Sequence, residues 1–302
     1  MCLGYTSLKC LEYNLFMKRI LFTLLIASFI IQPSYAFTEN FSIKNLFQNK
    51  DERAVTKLLK SQVRYANKTD FDKFIATYDP QYVNGDGFNL DVYSKLVKEI
   101  WDTYNGIEYG IKINNIDIDG NKAIVELVET AYAEIKVSKV YDGELKSNST
   151  ALYTLEKKDG KWKVVSDTVL DETTSMLYGD AKGLDVKLTV PELIDANTDY
   201  TATLEFLPPN ETLAIASIAS DKVEYPQKPT EEIFRPLPED NILERILTSN
   251  NENADEYVVA SIGLTKSKVT DASLKLSLTG FGYTIKRVNV NHDVTQKNES
   301  EL

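Results

Sequence analysis

Apolar residues recur first at helical spacing and later at every second position, so the chain reads as helices followed by strands. In Asp51–Asn67, Val55, Leu58, Leu59, Gln62 and Ala66 share one face, Gln62 being a polar residue on the stripe. Phe71, Phe74, Ile75 and Tyr78 make a second, short helix that Pro80 closes. A loop, Asn84-Gly85-Asp86-Gly87, follows. Asn89 is placed to cap a third helix with the stripe Tyr93, Leu96, Val97, Ile100, Trp101 and Tyr104, and Asn105-Gly106 stops it.

From Ile111 the period becomes two. Ile111, Ile113, Ile116 and Ile118 lead into an Asp119-Gly120 hairpin turn, and Ala123 to Val137 is a long alternating strand. Asp142-Gly143 is expected to turn it back into a strand at Ala151–Lys157. Asp159-Gly160 makes a further tight turn before Lys161–Val169. Helices followed by an antiparallel meander define an α+β unit over 50–178. Beyond Tyr178-Gly179-Asp180-Ala181-Lys182-Gly183, expected to be a linker, only strands follow. They are 184–190, 200–206, 213–219, 257–264, 274–278 and 283–290, and they predict an immunoglobulin-like β-sandwich over 184–294 without a cysteine pair. Residues 295–302 form a polar tail.

The order of three helices and long hairpin strands, closed by Asp159-Gly160-Lys161-Trp162-Lys163-Val164-Val165-Ser166-Asp167, resembles the nuclear transport factor 2-like superfamily, SnoaL-like members included. The resemblance implies a curved sheet wrapped around a helix to form a cone with an open mouth. Ketosteroid isomerase and scytalone dehydratase, relatives by fold, place a carboxylate or histidine with tyrosines inside such a cone. No catalytic position of theirs maps residue by residue onto this chain, and the histidine is missing.

Met17–Ala36 changes the picture of where the protein works. Lys18-Arg19, the apolar run Ile20–Ile31, Pro33 and Ser34-Tyr35-Ala36 have the layout of a cleaved export signal, and the run is too short for a membrane span. The expected start is Met17, with residues 1–16 an upstream extension and Phe37 the first residue after cleavage. Export to a periplasmic or extracellular space follows, with no lipobox cysteine and no membrane anchor. Cys2 and Cys10, the only cysteines, precede Met17.

The net charge of −11 becomes −13 once Lys9, Lys18, Arg19 and Glu12 are removed. Such a charge repels nucleic acid and anionic lipid, whose binding needs clustered Lys/Arg, and the reading finds no such cluster. With no thiol after Met17 and a single histidine, His292, in a polar segment near the end, thiol catalysis is excluded. A zinc site and a Ser-His-Asp triad are both disfavoured. Neither metal nor cofactor is expected. Ile116–Asn121 resembles a calcium loop but fails its pattern at Lys122 and Val128, and is a hairpin turn.

The chemistry that remains is carboxylate and tyrosine. Glu129 interrupts an apolar row of Val125, Leu127, Ala131, Ala133, Ile135 and Val137, with two alanines beside it leaving room for a ligand. Turned inward it would have a raised pKa and serve as an acid or base. The commoner arrangement in long curved strands is a bulge that turns such a residue into water. Tyr65, Tyr78, Tyr82, Trp101 and Tyr104 either line a pocket for an apolar ligand or, more often for such stripes, are simply core. Pro226, Pro229, Pro236 and Pro238 mark a stiff crossover loop or, alternatively, a partner-binding arm anchored by Phe234.

The preferred function is a non-enzymatic exported binding protein. Its cone, through the five aromatic residues and Glu129, takes an apolar small molecule or a protein partner, and its sandwich docks. A homodimer through the curved sheet is also expected. The alternatives are a small enzyme moving protons with Glu129 and a tyrosine, of isomerase or dehydratase type, and a structural surface component.

Overall fold

The computed structural model describes residues 50–136, 142–228, 231–252, 254–270 and 273–291. The export segment, both cysteines, Pro229, His292 and the polar tail lie outside the described residues.

Three helices come first: α1 (Lys50–Ala66), α2 (Phe71–Ile75) and α3 (Leu90–Thr103). α1 buries Val55, Leu59, Gln62 and Ala66, and the polar member of that stripe is satisfied, because Gln62 Nε2 donates to Thr77 Oγ1 at 2.8 Å. Asn89 caps α3, its side chain accepting from the Val92 amide. Four long strands follow: β1 (Glu108–Asp119), β2 (Lys122–Lys136), β3 (Asp142–Lys158) and β4 (Lys161–Gly179). Both central residues of the β3–β4 turn, Asp159 and Gly160, have positive φ (51° and 75°), as a two-residue turn matched to strand twist requires. Asp142 and Gly143 are not a turn. They already pair with Lys136 and Ile135 as strand residues.

The second half contains β5 (Lys187–Thr189), β6 (Leu193–Asp195), β7 (Asp199–Glu205), β8 (Leu213–Lys222), β9 (Arg235–Pro236), β10 (Ile242–Thr248), β11 (Glu256–Thr270) and β12 (Ser273–Asn291). The expected strands 274–278 and 283–290 are one strand, β12. β10 escapes period-two reading because Ile242, Leu243, Ile246 and Leu247 sit at helical spacing, and Ile246 is in fact exposed. The proline-rich stretch runs from β8 to β10, and its β9 pairs with Ile215 and Ala216 to cover the β8 edge.

The sheet crosses the expected domain boundary. Gly280–Lys286 of β12 pair antiparallel with Gly179–Thr173 of β4, giving one sheet in the order β1-β2-β3-β4-β12-β11-β8-β9, with β6 parallel to β12. Asp180–Gly183 is a tight turn whose Ala181 is fully buried, rather than an open linker. A separate three-stranded sheet, β10-β7-β5, packs Tyr200, Ala202, Leu204 and Phe206 against one face of β8, β11 and β12. The other face of the same strands contributes Val223, Tyr257, Tyr283 and Ile285 to the core beneath the helices. β11 is therefore covered on both faces, which is why Tyr257–Leu264 reads as a nearly continuous apolar run. The second half is a layer built onto the first and shares a wall with it.

Candidate functional site

The interior between the helices and the curved sheet holds a cluster of carboxyl groups and tyrosines. β2 carries no bulge toward β3, so its alternation runs unbroken and Glu129 points inward between Leu127 and Ala131, 1 % exposed. The outward placement, the commoner one expected from sequence, does not occur.

The bulges that matter are in β4. Register shifts at Thr154/Leu155 and Thr150/Ala151 leave Val165 and Leu170 as the extra residues on that strand. Each one reverses which parity faces inward. Trp162 and Val164 face in before the first, Asp167 faces in after it, and Glu172, Thr174 and Met176 face in after the second. Two bulges thus place two further carboxylates in the interior. Segment 77–85 seals the free edge of β4 beside the first bulge, with Asp79 and Gly85 amides donating to the carbonyls of Val164 and Asp167 (2.8 and 2.7 Å). At the second bulge Asn289 of β12 donates its amide to the Leu170 carbonyl at 2.7 Å.

Each carboxyl has a tyrosine partner. Tyr153 donates to Glu129 Oε1 at 2.8 Å, Tyr82 to Asp167 Oδ2 at 2.6 Å, and Tyr257 to Glu172 Oε2 at 2.7 Å. Tyr78 and Tyr93 share a hydrogen bond of 3.0 Å, and the rings of Tyr78, Tyr82 and Tyr93 lie 5.0–5.4 Å apart. The single cation here is Arg287 on β12, 1 % exposed. It donates to both Asp86 oxygens (2.6 and 3.3 Å), to Asp255 and to Asn289 Oδ1.

Burial governs the electrostatics. Removal from water pushes Glu129 well above the ordinary glutamate range. The Tyr153 hydrogen bond opposes this rise, and the neighbouring Asp167 and Glu172 charges add to it. Burial likewise lifts Asp167 to about 6, with Tyr82 and Arg287 pulling it down, and lifts Glu172 to about 7 against Tyr257 and Arg287. Asp167 and Glu172 are thus shifted toward neutral pH, and Glu129, the most strongly desolvated of the three, is shifted upward with them. Two neighbouring polar atoms here are unsatisfied. Glu129 Oε2 is buried without a hydrogen-bond partner, and so is Ser149 Oγ on the residue paired with it across the ladder. An acceptor oxygen of a small molecule placed there would find a carboxylic acid and a hydroxyl as donors.

Of the six residues singled out from sequence, Tyr78, Tyr82 and Glu129 belong to this cluster. Tyr104 lies apart, its hydroxyl on Met176 Sδ at 3.3 Å. Trp101 donates to the Tyr109 hydroxyl at 3.0 Å, and Tyr65 is half-buried beside Arg64 and Lys73. Tyr93, Tyr153, Asp167, Glu172, Tyr257 and Arg287 were not anticipated. A trace of two of them exists in the sequence: the apolar doublets Val164-Val165 and Val169-Leu170 interrupt strict alternation in β4 at the two bulges.

No family model matches the chain, and no curated protein matches it. Among solved structures it is similar to Bd1075 of Bdellovibrio bacteriovorus (13% identity, 40% of each chain covered, TM-score 0.33). It is similar also to a nuclear transport factor 2-like protein with a cystatin-like fold from Novosphingobium aromaticivorans (12%, 39% of this chain and 80% of that one, 0.32). A third similar structure is a SnoaL-like polyketide cyclase from Agrobacterium tumefaciens (10%, 38% and 89%, 0.27). The match spans only 40% of the length of Bd1075.

Proposed function

We propose that the cone admits an apolar small molecule bearing a carbonyl or hydroxyl oxygen and transfers a proton on it, as an isomerase or dehydratase does. Glu129 is the acid–base group, and Tyr153 is the hydroxyl that orients it. The observation that carries this reading is the buried, unpartnered Glu129 Oε2, whose sister oxygen is held by Tyr153, on a carboxyl that burial shifts upward in pKa, because a general acid–base group needs a raised pKa and an oxygen not already committed to the protein. Ser149 Oγ would hold the substrate oxygen. Asp167 and Glu172, coupled to Glu129 by charge, would take up the proton between turnovers. The test is solvent-deuterium exchange into a panel of enolisable ketones, followed by NMR. Glu129→Gln should abolish exchange and Tyr153→Phe should slow it. Exchange that survives Glu129→Gln removes the proposal.

A second reading is the structural surface component, favoured by the mutual packing of Tyr78, Tyr82 and Tyr93, which fills space that a substrate or any other interior ligand would use. Native mass spectrometry of protein taken from its host separates the readings. No retained ligand and no exchange support the structural component, whereas a retained ligand that is never turned over supports binding alone. In either case export, which rests on Met17–Ala36, is part of the proposal, and so is a homodimer through the curved sheet.

A further inference from the structure

The outward face of α1 runs against the charge of the rest of the molecule. Lys50, Arg53, Lys57, Lys60, Arg64 and Lys68, the last in the turn after the helix, are its exposed charged residues, and all are basic, in a chain of net charge −11. Their spacing of three and four residues keeps them on one stripe roughly 25 Å long. The acids of the first turn do not neutralise it: Asp51 and Glu52 are half-buried, and Asp51 accepts from Lys157 Nζ at 2.6 Å and Trp162 Nε1 at 3.2 Å. Arg53, Lys57 and Lys60 form no ion pair with a described residue. Along the stripe lies a cleft of about 300 Å³ lined by Arg53, Thr56, Lys57, Lys60, Ser61 and Arg64. Arg64 donates to Ser61 Oγ at 3.2 Å, and Thr56 Oγ1 is buried without a hydrogen-bond partner.

We infer that this face of α1 docks on the phosphate groups of an anionic lipid surface, with the cleft taking one phosphate headgroup. Four cationic side chains and two hydroxyls converging on one cleft are the donor set that phosphate oxygens need. The stripe is straight and offers no exposed apolar side chain larger than Ala54, so contact is electrostatic and requires no insertion. A lipid surface is the occupant favoured because the export signal read in Met17–Ala36, part of the proposed function, would bring the same chain to a membrane. The net charge does not forbid the contact. Beyond about 8 Å at physiological salt the acidic remainder of the molecule is screened, while its repulsion at shorter range allows one orientation only, α1 toward the lipid. On this inference the exclusion of anionic lipid, drawn from net charge and from the lack of a basic cluster, does not extend to this one face, because its basic residues come together only at helical spacing.

The experiment is co-sedimentation of the full chain with mixed phosphatidylglycerol–phosphatidylcholine vesicles, with pure phosphatidylcholine vesicles alongside. Wild type is expected to bind only the mixed vesicles and to be released by high salt. Lys57→Gln/Lys60→Gln should weaken binding about 25-fold, since each basic residue adds about one factor of five at such a surface, and Lys57→Glu/Lys60→Glu by a larger factor. Unchanged circular-dichroism melting curves would show that the variants are folded, as exposed substitutions should be. Equal binding to both vesicle types, or variants that bind like wild type, would overturn the inference. So would binding of duplex DNA or inorganic phosphate while the mixed vesicles are ignored.

Discussion

Replacing Glu172 by glutamine should change how stability depends on pH. Glu172 is buried, its Oε2 accepting from Tyr257 at 2.7 Å and its Oε1 from Thr174 Oγ1 at 3.3 Å. Burial raises its pKa from 4.5 to about 7. Below pH 4.5 the carboxyl is protonated in both folded and unfolded chains and costs nothing. Between 4.5 and 7 the unfolded chain ionises while the folded one stays protonated, so stability falls as pH rises, and the loss saturates above 7. At about 1.4 kcal/mol per pH unit, the 2.5-unit gap comes to roughly 3 kcal/mol. Glutamine keeps the shape and the acceptor for Tyr257 but has no proton to lose. Urea unfolding of wild type and Glu172→Gln across pH 4–8 should show the variant gaining about 3 kcal/mol on wild type over that window. Asp167 titrates in both proteins and largely cancels in the difference, whereas Glu129 also loses the Glu172 charge that raises its pKa. A difference that stays within about 1 kcal/mol, or that moves in favour of wild type, would show that the interior is wetter than the geometry implies.

Three further outcomes follow from the packing. Arg287→Met leaves Asp86 and Asp255 without their buried cation and should cost about 3–5 kcal/mol in denaturant unfolding, whereas a loss under 1 kcal/mol would mean that the pair carries little. Gly143→Ala puts a methyl group 2.4 Å from Tyr178 Cδ1 and 2.9 Å from the Leu177 carbonyl oxygen, and should cost about 1–3 kcal/mol in the same measurement. Because β4 and β12 are hydrogen-bonded neighbours, calorimetry should show one cooperative transition, and two resolved transitions would contradict the continuous sheet.

Local features of the fold were legible in the sequence and its closure was not. The α1 and α3 stripes, the Asn89 cap and the Asp159-Gly160 turn depend on neighbours within a few residues, so spacing and residue type define them. The alternation of β2 put Glu129 in an apolar row, yet the arrangement favoured from sequence was a bulge turning it into water, and only the ladder shows that no bulge interrupts it. What failed depends on distant partners. The β4–β12 pairing joins positions about a hundred residues apart and leaves no mark on periodicity, so Gly179 and Gly183 resembled a linker. Asp167 and Glu172 looked like ordinary polar positions because a strand was read at one parity. Tyr153, Tyr257 and Arg287 acquire significance only beside those carboxyls. The basic stripe of α1 was hidden for another reason: its residues are diluted by the buried face and coincide only when the helix is wound.

The position of β12 also bears on the order in which the molecule can be assembled. The wall that completes the first core is the last stretch of described chain to be made, and its Arg287 reaches back 201 positions to Asp86. Until β12 arrives, residues 173–179 of β4 have no neighbour on one side, and the interior carboxyls have neither their cation nor the Tyr257 hydroxyl. A polypeptide emerging from a ribosome or a translocation pore therefore cannot finish its first half ahead of its second. Contacts of such long sequence separation are slow to form, which keeps the chain threadable until its C-terminal strand is released and leaves the open β4 edge in need of protection meanwhile.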